Sequence, residues 1–163
     1  MTVVPYDPDW PRQYESERMI LGNVFDFTRV RIEHIGSTAV PDLGGKPIID
    51  IMIGVSKLAV VERCIPSLAT HGYEYVKEYE AQLPERRYFR KPRVGTRLFH
   101  VHCVVQESDF WIRHLAFRDY LRAHPDSAAA YYELKRKLSA SVRKSEYTDA
   151  KSPFIEGILS RLV

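Results

Sequence analysis

The sequence predicts an α+β (α/β-like) domain, a mixed β-sheet flanked by helices with a helical C-terminal third, and three observations carry that prediction. Residues 30–35 alternate apolar and polar like a half-buried strand, and 48–55 form an almost unbroken apolar run, the pattern of a strand covered on both faces. Residues 97–105 alternate again, with Phe99, Val101, Cys103 and Val105 on one face and His100 and His102 on the other. Elsewhere apolar residues recur at three- and four-residue steps, which predicts helices over 11–25 and 56–70 and a helical half from Asp109 onward. A chain of 163 residues, 45% of them hydrophobic, is large enough to bury one core, so 1–163 reads as one domain.

Taken in order, Val3–Tyr6 is a short extended piece, and Pro5, Pro8 and Pro11 confine it to an edge or turn. Pro11 suits the first turn of a helix whose inward side carries Tyr14, Leu21 and Phe25; Trp10 and Tyr14 read as packing residues. After the apolar strand, Ser56 is the expected cap of a helix burying Leu58, Val61, Ile65 and Leu68, with Pro66 shortening its last turn and Gly72 following its end. Strands are expected over 73–79 and 85–92, the second basic and aromatic and closed by Pro92, followed by a turn at 94–96. The helical part reads as Asp109–Ala123, Pro125 to about Arg143, and a last helix opened by Ser152-Pro153.

The charge balance, 24 basic against 21 acidic residues and a net +3, is mild and spread along the chain. It permits phosphate-bearing ligands, and with no helix dense in Lys or Arg it gives no reason to expect nucleic acid. Cys64 and Cys103 lie far apart in apolar surroundings and read as reduced thiols. No basic-apolar leader opens the chain and no apolar run approaches ~20 residues, so a cytoplasmic protein with small-molecule partners and no membrane association is expected.

Residues 29–55 are the stretch around which the rest is organised. Gly36-Ser37-Thr38, between two strands, offers close backbone approach, two hydroxyls and main-chain N–H groups that can face an anion. By itself Ser37 reads as a turn or cap hydroxyl. Asp50 stands in the middle of the apolar strand, where a lone carboxylate requires a metal or a basic partner such as Lys46 or an arginine. His100 and His102 point the same way from their strand and are candidates for metal ligand, general base or phosphate donor. Glu33 is the candidate second carboxylate, on the strand face opposite His34; His71, His114 and His124 carry no functional signal. Arg86, Arg87, Arg97, Arg118, Lys135 and Lys151 form a basic complement suited to a polyanion.

Gly36-Ser37, twelve residues, then Asp50 resembles the motif of the nucleotidyltransferase superfamily, in which Gly-Ser grips a phosphate and strand carboxylates hold magnesium. His34-Ile35-Gly36-Ser37-Thr38-Ala39-Val40-Pro41 and Lys46-Pro47-Ile48-Ile49-Asp50-Ile51 resemble more narrowly the GrpB family, small stand-alone proteins that also occur as a C-terminal extension of some dephospho-CoA kinases. The resemblance extends through the Trp10-Pro11 opening, Phe117–Arg122, Tyr132…Lys135 and Tyr147…Lys151, essentially the whole chain. It implies a nucleotidyltransferase-like fold with a His-x-His strand where a later carboxylate usually stands. Asp50, His100 and His102 become the implied catalytic residues, and with Glu33 the implied ligands of Mg²⁺, Mn²⁺ or another divalent ion. Gly36, Ser37, Thr38, Lys46, Arg87, Arg97, Arg118, Lys135 and Lys151 become the implied phosphate and substrate contacts. Active members of the superfamily usually carry a second acid two residues after the first; here that position is Met52. Three readings follow: nucleotidyl transfer to a small acceptor, a non-catalytic domain binding a nucleotide or CoA-like ligand, and a nucleotide-dependent ligation.

Overall fold

The computed structural model describes residues 2–94, 97–141, 143 and 146–162, with no account of the side chains of 93, 94 and 97. Its centre is a five-stranded sheet of β1 (Arg31–Ile35), β2 (Ile49–Val55), β3 (Glu74–Tyr75), β4 (Arg86–Val94) and β5 (Arg97–Val105), in the order β1-β2-β5-β4-β3. Only β2 and β5 run parallel, and they need the long crossover through α2 (Leu58–Thr70) and the β3–β4 hairpin; the other pairs are antiparallel.

The period-2 pattern of β2 divides the core. Ile49, Ile51, Ile53 and Val55, with Phe99, Val101 and Cys103 of β5, pack against Trp10, Leu21 and Phe25 of α1 (Trp10–Phe25) and Val61 and Leu68 of α2. On the other face Met52 and Val104 meet Ile35 and Trp111, the latter from α3 (Asp109–Ala123). A second apolar cluster, Val40, Leu43, Leu121, Ala128, Tyr131 and Ile158, joins the loop before β2 to α3, α4 (Pro125–Ser141) and α5 (Tyr147–Leu159). Asp50 lies on the Met52 face, so β2 presents its carboxylate on the side of the sheet that faces the C-terminal helices. No helix among the described residues is long and apolar enough to cross a membrane. Cys64 and Cys103 are free thiols.

Several boundaries depart from the sequence reading. The strand expected over 73–79 pairs only at Glu74–Tyr75; beyond it Val76 and Tyr79, three residues apart, share one side of a 3-10 turn over Lys77–Ala81. Pro92 lies inside β4, where the register shifts between Lys91 and Val94, so the missing N–H falls at an irregularity. The turn expected at 94–96 lies outside the described residues at Gly95 and Thr96. Lys57, not Ser56, occupies the N-cap of α2 without a side-chain cap bond, and Pro66 sits within that helix. The last helix starts at Tyr147 with Pro153 in its interior: buried Tyr147 anchors the first turn, and packing offsets the hydrogen bond the proline removes.

Candidate functional site

β1 ends at Ile35, and Gly36 then adopts φ 76°, which L side chains rarely take. A Cβ there would also lie 2.8 Å from Asp50 Oδ2, so only glycine lets the turn rest against the carboxylate. Gly45 makes the second close approach: a Cβ on it would lie 2.7 Å from Ser37 Cβ and 2.9 Å from Lys135 Nζ. The turn is braced from behind. Thr38 Oγ1 donates to Ile48 O (3.1 Å) and accepts from His34 Nε2 (2.9 Å), and the His34 ring stacks on Tyr14 with centroids 4.6 Å apart. Burial holds the His34 imidazole neutral, its pKa pushed down to about 3. Thr38, read from sequence as a phosphate contact, is thus buried with both hydrogen-bonding capacities used inside the fold.

A cleft of about 600 Å³ opens in front of this turn, between the sheet and α3, α4 and α5. One side carries Asp50, His100 and His102. The parallel register sets Asp50 beside His100 and Met52 beside His102, which brings both imidazoles to the carboxylate. His102 Nε2 lies 3.1 Å from Asp50 Oδ1 and His100 Nδ1 lies 3.8 Å from it. Burial is the largest influence on the Asp50 carboxyl and raises it, but the hydrogen bond from His102 together with the electrostatic influence of His102, His100 and His34 outweighs it and holds the group below the ordinary carboxylate range.

The other side is cationic. Lys135, 2% exposed, reaches from α4 to donate to Ser37 Oγ and to Gly44 O at 2.7 Å. Lys46 and Lys151 both place their ammonium over the Tyr147 ring, at 3.9 and 4.7 Å from its centroid. Burial, reinforced by these two charges, pushes Lys135 down to about 7, and Lys151 is lowered by burial and by Lys46.

The remaining sequence candidates separate. Glu33, paired with Met52, shares its face two register positions along from the Ile35–Asp50 pair and is held by Arg118 at 2.7 Å and by Arg31 at 3.4 Å; Arg118 also donates to His34 O and Asp119. Arg118 lines the cleft with its donors committed to the fold. Arg87 is bound to Glu62, Glu80 and Pro84 O and does not line the cleft. The Arg97 side chain lies outside the described residues. Arg113, His114, Phe117, Tyr131 and Tyr147 also line the cleft, although sequence spacing had not singled them out. Arg113 is paired with Glu156, and His114 donates from Nδ1 to Phe110 O (2.8 Å) with its pKa lowered by burial to about 4.

Among the described residues no three His, Cys, Asp or Glu side chains converge as a metal ligand set. Met52, at the position where the superfamily resemblance implies a second acid, is fully buried and offers no oxygen, and Glu33 is paired with Arg118. A pair of divalent ions needs several carboxylate oxygens, so these donors do not fit a two-ion centre.

A five-stranded mixed sheet with a Gly-Ser turn before a carboxylate-bearing strand defines the nucleotidyltransferase-like class. The terminal uridylyl transferase 4 structure from Trypanosoma brucei with bound dUTP superposes on 96% of this chain and 55% of that one with a TM-score of 0.65 at 13% identity, a likeness of fold alone. The family is narrower: the GrpB protein family model matches residues 1–161, and the chain belongs to that family. The crystal structure of conserved protein GrpB from Enterococcus faecalis matches with a TM-score of 0.83 and 34% identity over 98% of both chains. UPF0157 protein YqkA of Bacillus subtilis is 36% identical over 155 residues, 95% of this chain and 43% of the relative, so the chain spans less than half of YqkA's length. A dephospho-CoA kinase of Mycolicibacterium paratuberculosis is 31% identical over 173 residues, again covering 41% of its length.

Proposed function

We propose that the cleft binds a nucleotide by its phosphates and transfers its nucleotidyl group to a small acceptor. The observation that carries this reading is the gathering of Lys46, Lys135 and Lys151 in the same cleft as the Gly36–Ser37 turn and an ionised Asp50. Fixed ammonium groups in a partly desolvated pocket stabilise phosphate charge far better than exposed ones, and they do so without reorganising as charge develops.

In the proposed step an acceptor hydroxyl oxygen attacks the α-phosphorus. The bond from that phosphorus to the bridging oxygen breaks, pyrophosphate leaves, and Asp50 takes the hydroxyl proton. The lysines neutralise the leaving pyrophosphate, while His100 and His102 orient and screen Asp50. A carboxylate held below its ordinary range is a weak base, so its contribution belongs at the lower end of general-base catalysis, about 10²-fold.

Met52 favours a second reading, a non-catalytic domain that binds a nucleotide or CoA-like ligand. Calorimetric titration with ATP, GTP, CTP and UTP, with and without Mg²⁺ or Mn²⁺, followed by assay of pyrophosphate release with candidate acceptors, separates the two. Transfer predicts binding that Lys151→Ala weakens at least tenfold, and pyrophosphate release that Asp50→Asn slows about 10²-fold while binding persists. Binding without release in any acceptor screen supports the second reading; absence of binding to all four nucleotides overturns transfer, and absence of coenzyme A binding as well overturns the second reading.

A further inference from the structure

Behind the cleft, on the side of His102 away from Asp50, stands Arg86 of β4, which does not line the cavity. Its Nη1 lies 3.4 Å from His102 Nδ1, and its guanidinium lies over the rings of Tyr88 (5.1 Å) and Phe110 (5.9 Å). No carboxylate among the described residues forms an ion pair with Arg86, and its Nε is buried without a hydrogen-bond partner. A half-buried guanidinium without an acid is costly, so its placement against an imidazole nitrogen calls for an explanation.

Two contacts select the same His102 tautomer independently. Guanidinium is a donor only, so a proton on Nδ1 would set two donors face to face; Nδ1 must present its lone pair. On the other side Nε2 faces a carboxylate oxygen at 3.1 Å, which accepts only. A lone pair on Nε2 would meet the lone pairs of an ionised oxygen, so Nε2 carries the proton. The groups around the ring are Asp50 from β2, Arg86 and Tyr88 from β4, His100 on the same strand, and Phe110 and His114 from α3.

We infer that Arg86 is a positioning residue that fixes His102 as an Nε2–H donor to Asp50, so that His102 holds a proton at the carboxylate instead of ligating a metal through that nitrogen. Ligation through Nε2 would require the proton to move to Nδ1, directly against Arg86. The inference concerns the cleft of the proposed function, yet it stands whether or not a nucleotide is the ligand, because it is read on the free protein.

The test is a two-bond ¹H–¹⁵N correlation spectrum of the histidine rings at pH 8, with His102 assigned through His102→Gln. Nε2 is expected in the protonated range and Nδ1 in the unprotonated range. Arg86→Leu is expected to shift His102 toward the other tautomer or to exchange between the two, and Arg86→Lys, which keeps a donor, to restore the wild-type pattern. With the steric and electrostatic bar removed, Arg86→Leu is also expected to bind Co²⁺ at least tenfold more tightly than wild type, read by calorimetry and by visible absorption. A proton on Nδ1 of wild-type His102 overturns the inference. So does an Arg86→Leu variant, folded by circular dichroism, whose His102 spectrum and Co²⁺ affinity both match wild type.

Discussion

Replacing Lys135 with methionine should stabilise the protein in mild acid while destroying the anion site, and the magnitude follows from the burial of the ammonium. Lys135 titrates near 7 in the folded chain against an ordinary 10.5. That gap corresponds to a penalty of about 5 kcal/mol for folding the protonated amine, with no discount for solvent because the residue is 2% exposed. The sign is fixed by linkage. Between about pH 7 and 10.5 the unfolded chain holds the proton that the folded chain has released, so wild-type stability rises with pH through that window, and the penalty is complete below it. Lys135→Met removes the penalty but also the bonds to Ser37 Oγ and Gly44 O, a loss of about 2–3 kcal/mol for the two together. The variant should therefore exceed wild type by about 2 kcal/mol at pH 6, and the advantage should vanish near pH 9 as the wild-type penalty falls by about 2–3 kcal/mol. Urea unfolding of both proteins at pH 6, 7.5 and 9 measures this directly, since other titrating groups largely cancel in the difference. A variant less stable than wild type at pH 6, or a difference flat across the range, would refute the account of Lys135 as a charge stored against the fold for an anionic ligand.

Two further substitutions test the frame of the site. Gly36→Ala combines a positive φ of 76° with a 2.8 Å contact to Asp50 Oδ2, so it should cost about 1–3 kcal/mol and lower the melting temperature by several degrees; an unchanged melting temperature would show that the turn relaxes freely. Arg118→Ala leaves Glu33, whose side chain is 25% exposed, with only its 3.4 Å contact to Arg31 and removes the donor to the His34 carbonyl, and should cost about 1–2 kcal/mol of stability with nucleotide affinity altered less than twofold. A large loss of affinity at full stability would move Arg118 from the scaffold into the binding surface.

The strand-borne half of this arrangement was legible in the sequence because alternation specifies a face. A histidine pair at 100 and 102 shares one side of its strand, and the register that sets Asp50 beside His100 puts the aspartate on that side too, while the glycine at 36 announces a turn that L side chains rarely make. The basic half was legible only in part. Arg87, Arg118, Lys135 and Lys151 look alike as charges in a chain, and what separates them is partners 25 to 98 residues away: Glu62 for Arg87, Glu33 for Arg118, Ser37 for Lys135. Which cations spend their charge on carboxylates and which face the cleft is a property of packing, invisible to spacing. Tyr147 shows the same limit. Proline 153 suggested a later helix start, and only the tertiary position of Tyr147, under Lys46 and Lys151, explains why the helix begins earlier.

Met52 and the lysine cluster can be read as two sides of one electrostatic solution. A cleft with two or three carboxylates is negative when empty and admits a phosphate chain only after divalent cations have entered. Here Met52 stands where the superfamily resemblance leads one to expect an acid, Glu33 is paired with Arg118, and Asp50 is hydrogen-bonded by His102, while Lys46, Lys135 and Lys151 line the same cavity. The empty site is therefore net positive, and part of the repulsion among its lysines is already relieved by the lowered affinity of Lys135 for its proton. On the proposed function, such a cleft would attract a polyphosphate by its own charge, and binding should draw a proton onto Lys135 as the phosphate's field restores the ammonium. Charge that a metal pair would have carried is thus built into the chain, on the same side of the site where the phosphates would lie.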